Sequence, residues 1–448
     1  VLSTGERVGP RTHPTVVART GLYVFLATNL AAVTAMFIAA GPSGAVLITV
    51  GRLAGLYGSL LLACQLLLTA RLPWLDRRLG MGSLTAWHRW AGLSLLWLLV
   101  GHLVFISFGY GDIDSRGPVH ELVRLANTVE GVLRALVACA LILIVGAASV
   151  RFARKRFAYE TWHFVHLCTY AAVVLAFSHQ IALGRSFTSA PLARAYWWTL
   201  CGTALGAVLL GRVILPLWRN LRHRLRVTAV VPESSTVVSV YLTGKRLDKF
   251  PAPVGQFFRW RFLTPDRWWQ AQPCSLSAAP DGKSLRLTAK AVGDRSAGLR
   301  APKVGTRVFA EGPYGALTTV HQRQDNALLI AGGVGVTPIR ALMEEIAGHV
   351  VVLYRAGSDR DALLLPELHR LARARGATVH VLTGPSNAAG PHGPLLGPGN
   401  IRALVPDGAE RDVFVCGPPG MTSAVLRSLR ELGIPWPQVH AERFSLAR

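Results

Sequence analysis

The sequence predicts a multidomain membrane protein: a six-helix transmembrane bundle, then an antiparallel β-barrel and a doubly wound α/β domain. Three observations carry this. Six apolar runs fill the first half, each near the roughly 20 residues a helix needs to cross about 30 Å of hydrocarbon. After residue 222 the pattern changes to short β-rich pieces between Pro/Gly turns. From residue 327 onward, buried-type strands alternate with helical stretches.

The spans are expected near 21–41, 46–70, 86–108, 131–150, 160–183 and 195–218, within a membrane domain of 21–218. The uncharged stretch 21–41 exceeds the h-region of a signal peptide and reads as a span. With 51% hydrophobic residues and a mean hydropathy of +0.36, the chain is too oily for an ordinary soluble protein. Its net charge of +24 divides into +15 over residues 1–226 and +9 over the rest. In the first half the cations cluster between apolar runs: Arg71, Arg77 and Arg78; then Arg151, Arg154, Lys155 and Arg156; then Arg219, Arg222, Arg224 and Arg226. The loop between spans three and four instead carries Asp112, Asp114 and Glu121. This is the positive-inside pattern of a multi-pass protein of the cell membrane, with both termini cytoplasmic and residues 1–20 a cytoplasmic segment. The bilayer, not nucleic acid, is the partner such a balance implies. The six cysteines form no CxxC, which argues against iron–sulfur centres, structural zinc and a disulfide framework.

The β-rich pieces RVTAVV, TVVSVYL, QFFRWRF, SLRLTAKAV and TRVFAEG place the barrel at 223–318. The strands ALLIAGG, VVVLYRA, TVHVLT and DVFVCG place the α/β domain at 325–448.

Span three contains His88 and His102, and span five His163, His166 and His179. Ionisable side chains at bilayer depth are costly, so each is a functional candidate. At 1.5 Å per residue, fourteen residues span roughly 21 Å and thirteen roughly 19–20 Å. His88 with His166, and His102 with His179, therefore predict two stacked bis-imidazole sites for two b-type haems. Thirteen residues leave His179 about 140° around the helix from His166. Either span five is distorted or the haems approach it from different sides, and His163 competes for the inner site. The plainer alternative is a set of satisfied polar residues between helices. Arg52, near the outer end of span two, is either a snorkelling cation or a group for a haem propionate or anionic acceptor.

Two motifs fall in the barrel. Pro273-Cys274-Ser275-Leu276-Ser277 resembles the flavin-ring strand of the ferredoxin–NADP reductase superfamily, where the Ser275 hydroxyl would meet the flavin N5. In Lys290-Ala291-Val292-Gly293-Asp294-Arg295-Ser296, small residues and backbone N–H groups suit the FAD pyrophosphate. Gly332-Gly333-Val334-Gly335-Val336-Thr337-Pro338 follows an apolar strand and opens a helix, the context in which a glycine loop receives a dinucleotide pyrophosphate. Cys416-Gly417-Pro418-Pro419-Gly420 follows a later strand.

In this order the motifs resemble the ferric reductase and NADPH oxidase superfamily, in particular its bacterial single-chain members, over nearly the whole chain. The resemblance implies haem ligation by His88, His102, His166 and His179, and FAD binding by Ser275 and its neighbours, including Lys290, Gly293 and Ser296. Glu311-Gly312-Pro313-Tyr314-Gly315 would join the two soluble domains. NAD(P)H binding falls to Gly332, Gly333, Gly335, Thr337 and Pro338 with Cys416, Gly417 and Pro418. Arg355 matches a position near the adenosine ribose phosphate, and Phe444 the aromatic that covers the flavin. The chain departs from the family with Gln272-Pro273-Cys274-Ser275 where an aromatic usually precedes the serine, and it runs on past Phe444 to Arg448. The implied activity is an NAD(P)H-dependent flavohaem oxidoreductase, with electrons passing from cytoplasmic NADPH or NADH through FAD and two haems to an outer ferric chelate or dioxygen. The alternatives are a haem-binding subunit serving a partner protein or quinone, and an inactive haem-binding anchor.

Overall fold

The computed structural model describes residues 14–41, 44–79, 81–150, 159–184, 190–266, 268–290, 302–315, 317–385 and 387–443. They divide into two units, Val1–Val213 and Ile214–Arg448.

The first unit holds six helices long and apolar enough to cross a membrane: Thr20–Ala39, Val46–Thr69, Ser83–Ile113, Val132–Ser149, Thr161–Leu183 and the run beginning at Pro191. Large apolar side chains such as Trp90, Trp97, Phe164, Val174 and Leu192 stand on its outside. In water that would be costly, and in lipid it is the expected face. Its interior mixes small residues such as Ala63, Ala172 and Ala204 with Leu60, Leu66 and Trp197. The second and third spans pack closely because Gly51, Gly55 and Gly58 line the second. A Cβ at Gly55 would lie 2.7 Å from the His102 ring, and one at Gly109 2.7 Å from Ile48. The third span packs chiefly on the second, and the fifth chiefly on the fourth. The sixth span leaves regular α-geometry in a π-helical turn, Leu210–Ile214, just ahead of Pro216. Proline has no N–H for the residue 212 carbonyl and crowds it, which accounts for the loosened turn.

The second unit begins with the helix Leu215–His223, tied to the strand Val308–Tyr314 from both sides of one amide. Asn220 Nδ2 donates to the Ala310 carbonyl at 2.8 Å, and Asn220 Oδ1 accepts from the Ala310 N–H at 2.8 Å. Arg219 donates to the Gly312 carbonyl. Six antiparallel strands follow: β1 (Arg226–Pro232), β2 (Val237–Thr243), β3 (Phe257–Phe262), β4 (Gln272–Ser275), β5 (Leu285–Lys290) and β6 (Val308–Tyr314). They form two sheets, β1-β2-β5 and β4-β3-β6, whose edges meet through the bridges Leu276↔Leu287 and Arg226↔Arg307. Phe258, Trp260, Leu276 and Leu287 fill the space between them.

The remaining chain builds a parallel sheet from β7 (Ala327–Gly332), β8 (Val350–Ala356), β9 (Thr378–Thr383), β12 (Asp412–Gly417) and β13 (Val439–Arg443), while the two-residue strands β10 (Ala389–Gly390) and β11 (Gly393–Pro394) pair separately. Its order is β13-β12-β7-β8-β9. Every residue of β7 and β12 is buried, which is why these strands read as unbroken apolar runs. The order reverses between β7 and β12, and in such sheets the crevice beyond the strand ends at that point receives ligands.

A charge cluster ties barrel to sheet. Arg286 on β5 is 6% exposed and donates two bonds to Glu367, at 2.6 and 2.8 Å. Arg340, 7% exposed, reaches the same carboxylate at 2.8 Å, Glu344 at 2.7 Å and the Ser277 carbonyl at 3.1 Å.

Candidate redox-cofactor sites

In the first unit the third and fifth spans turn histidines toward each other. The His88 and His166 rings lie 6.0 Å apart, centroid to centroid. Two imidazoles on opposite sides of one iron, with metal–nitrogen bonds of about 2 Å, also put their centroids roughly 6 Å apart. Farther along the fifth span, His179 lies against Gly131. His102 Nδ1 is 2.8 Å from the Gly51 carbonyl. A carbonyl only accepts, so Nδ1 carries the proton and Nε2 keeps the lone pair a metal needs. Ser149 Oγ sits 3.4 Å from His166 Nδ1 and takes a 3.3 Å bond from Trp162, whose ring lies 5.1 Å from that of His166. These residues fit a haem.

The geometric difficulty in span five resolves one way: Tyr159–Leu183 is an α-helix throughout, without a bulge. The two imidazoles therefore leave it about 140° apart. At the end of the bundle that carries His102, Arg52 follows Gly51 directly and stacks over Phe37 at 5.7 Å. Nearby in sequence the buried Glu121 is held by Arg124, which also pairs with Asp114 at 2.6 Å. The bonds from Arg124 keep the Glu121 carboxyl below its ordinary range despite desolvation.

In the second unit β4 presents the flavin-type motif. Pro273 is exposed, and Ser275 is buried with its hydroxyl in a long 3.4 Å bond to the Gly255 carbonyl. That weak bond leaves the hydroxyl suited to a ring nitrogen. Cys274 packs against the barrel core, and burial pushes its thiol up to about 12. Leu276 lies wholly in that core, and the fully buried Ser277 hydroxyl is bonded to Arg286 and Thr288. Those two residues can meet a flavin only through backbone. Gly293, Ser296 and Phe444 lie outside the described residues, as does the Lys290 side chain.

Beyond β7 and β12 opens a cleft of about 1410 Å³, lined among others by Gly333, Arg355, Arg360, Gly384, Gly417 and Arg427. Its size exceeds the about 300–1,000 Å³ of ordinary small-ligand pockets and admits an extended dinucleotide. The glycines of the loop do different work. A Cβ at Gly335 would strike the Cys416 carbonyl and one at Gly332 would strike Met421, so these two permit the β7 and β12 loops to touch. Gly333, at φ +55°, has open space where its Cβ would be. Its backbone is the one a pyrophosphate can approach, ahead of the helix Val336–Glu345. Thr337 and Pro338 are buried; the Thr337 hydroxyl donates to the Val334 carbonyl at 2.9 Å and holds the turn. Pro418 opens the helix Pro419–Glu431.

Arg355 lines the cleft, but its guanidinium donates to the carbonyls of Ala356, Leu382, Gly384 and Pro385. It anchors the turn after β9, which leaves Arg360 and Arg427 as the exposed cations of the cleft. The sequence reading missed Glu442. It stands opposite Cys416 in the β12–β13 register, and Gly315 leaves room for its carboxylate. Burial first, then this carboxylate, pushes the Cys416 thiol well above its ordinary range. A Glu two residues before Phe444 was the available signal.

Comparison with known proteins agrees with both halves. Residues 54–177 match the ferric reductase like transmembrane component, and residues 329–427 the oxidoreductase NAD-binding domain. Ferredoxin–NADP reductase B of Sorangium cellulosum is 32% identical over 193 residues, 38% of this chain and 76% of that protein. The chain is a ferredoxin-reductase-family oxidoreductase fused to a ferric-reductase-like transmembrane domain. This reductase also resembles the glycine betaine monooxygenase reductase subunit of Chromohalobacter salexigens, at 25% identity over 51% of this chain and 65% of that protein. Among solved structures, a ferredoxin NADP+ reductase from Neisseria gonorrhoeae with bound FAD and NADP covers 50% of the reductase chain and 98% of its own, at 16% identity and a TM-score of 0.41. The chain is thus an electron-transfer oxidoreductase with an FAD- and NAD(P)-binding module.

Proposed function

We propose that the protein takes hydride from NADPH or NADH on the cytoplasmic side and delivers electrons across the membrane, through FAD and two b-type haems, to a ferric chelate or dioxygen. The observation that carries this is the facing pair His88 and His166, 6.0 Å apart between spans of a ferric-reductase-like domain. Bound FAD would supply the conversion of a hydride into single electrons, and haem held by the histidines would supply one-electron transfer.

The chain's own residues do the rest. His88 with His166, and His102 with His179, hold the two irons, and the Gly51 carbonyl fixes the His102 tautomer. The Gly333 backbone and the helix behind it hold the coenzyme pyrophosphate, while Arg360 and Arg427 supply positive charge along the cleft. Ser275 offers its hydroxyl to the flavin ring. The Cys416 thiol, kept protonated by burial, is a small neutral group at the end of β12 beside Glu442. The arrangement Arg71 to Arg78, Arg151 to Arg156 and Arg219 to Arg226 on one side sets the direction, because cationic loops stay in the cytoplasm.

The test is absorption spectroscopy on purified protein with NADPH, followed by NADPH consumption in vesicles that offer ferric chelate or oxygen only on the far side. Haem reduction and far-side turnover are expected. Flavin bleaching without haem reduction would reject the relay.

A further inference from the structure

The second and third spans meet twice at matching intervals. Gly51 accepts from His102, and fourteen residues later Gln65 reaches His88, itself fourteen residues before His102. The two meetings differ in one respect. His102 is held through its ring nitrogen, whereas Gln65 Nε2 donates at 2.9 Å to the backbone carbonyl of His88. Two polar atoms then remain buried without a hydrogen-bond partner on this pair of residues: Gln65 Oε1 and His88 Nδ1. Leaving such an atom unpaired is costly. Gln65 is itself only 9% exposed, and the space it occupies is reserved by Gly92, where a Cβ would lie 2.9 Å from Gln65 Nε2.

We propose that Gln65 is the positioning residue of the His88 imidazole: its amide oxygen accepts the Nδ1 proton, directly or through one water, and aims Nε2 at the iron. The two orphan atoms are complementary in chemistry. An amide oxygen can only accept, and an imidazole that ligates through Nε2 carries its proton on Nδ1. The second span thereby serves both imidazoles of the third, by a backbone carbonyl at one end and by a side-chain amide at the other. This inference rests on the haem reading above.

An acceptor on Nδ1 raises the basicity of the ligand and favours the ferric state. The experiment is a spectroscopic redox titration, with low-temperature EPR, of the full-length protein in lipid nanodiscs. Gln65→Leu should raise the potential of one haem and shift its low-spin signal while the other haem is unchanged. Gln65→Glu, which keeps an acceptor and strengthens it, should move the same haem the opposite way. Loss of one haem in Gln65→Leu with retention in Gln65→Glu supports the assignment equally. If Gln65→Leu does not fold, the Gln65→Glu shift decides alone. Unchanged signals in both variants, or equal shifts at both haems, would overturn it. A wild-type protein without any bis-imidazole spectrum would instead overturn the haem reading.

Discussion

Replacing Glu367 by Gln should loosen the reductase module by about 3 kcal/mol. The wild-type carboxylate receives both terminal nitrogens of Arg286 and lies 2.8 Å from Arg340 Nε. Breaking a buried ion pair from one side costs about 3–5 kcal/mol, because the other charge stays buried. Three features set the value at the lower end. Arg340 keeps Glu344 at 2.7 Å, its Nε is too poorly aligned on Glu367 to form a hydrogen bond, and the Glu367 side chain is 22% exposed to screening water. At roughly 2–4 °C per kcal/mol for a unit of this size, the midpoint should fall by about 6–12 °C. The assay is thermal release of FAD fluorescence from the full-length protein in nanodiscs. Glu344→Gln, whose partner retains Glu367, should fall by much less. The pH dependence carries a sign. Desolvation raises the Glu367 carboxyl, but the Arg286 bonds and the Arg340 charge outweigh it and hold it below the ordinary range. Its contribution is therefore complete at neutral pH and disappears as pH falls through that lowered value. The variant should lack this acid-dependent part. A midpoint within about 2 °C of wild type, roughly 1 kcal/mol or less, would show that the cluster does not hold barrel and sheet together.

Three further outcomes are expected. His102→Leu should leave one haem per chain and retain the His88–His166 spectrum, measured as haem-to-protein ratio; two haems in the variant would reject the pairing. Arg355→Ala should weaken NADPH and NADH use by similar factors, because it frees the turn after β9, while Arg360→Ala or Arg427→Ala should act mainly on NADPH; steady-state kinetics with both coenzymes would separate them, and a purely NADPH-specific loss in Arg355→Ala would reverse the assignment. Arg52→Ala should slow delivery to the far-side acceptor while NADPH still reduces flavin and the His88–His166 haem in stopped flow; normal acceptor turnover would mean that Arg52 only packs over Phe37.

Much of this molecule is legible in the sequence, and for a physical reason. A bilayer demands about 20 apolar residues per span, so all six spans stand out in composition alone. β7 and β12 are buried on both faces and read as continuous apolar runs for the same kind of reason. The fourteen-residue interval of His88 and His102 is a one-helix property, visible from helical geometry. What the interval cannot show is which neighbour meets each ring. That the His166 ring comes within 6.0 Å of His88 depends on how two separate helices rotate against each other, and Gly51 and Gln65 enter only through the packing of a third. The hydrogen-bond partners of Arg355 are hidden likewise. A guanidinium after a strand suits phosphate in sequence, yet in the fold it donates to the neighbouring Ala356 carbonyl and to three carbonyls, Leu382, Gly384 and Pro385, some thirty residues away. Local spacing and hydrophobicity act within one element and are written in the chain order. Partner choice is decided by tertiary contacts among elements distant in that order, and only the folded structure brings those together.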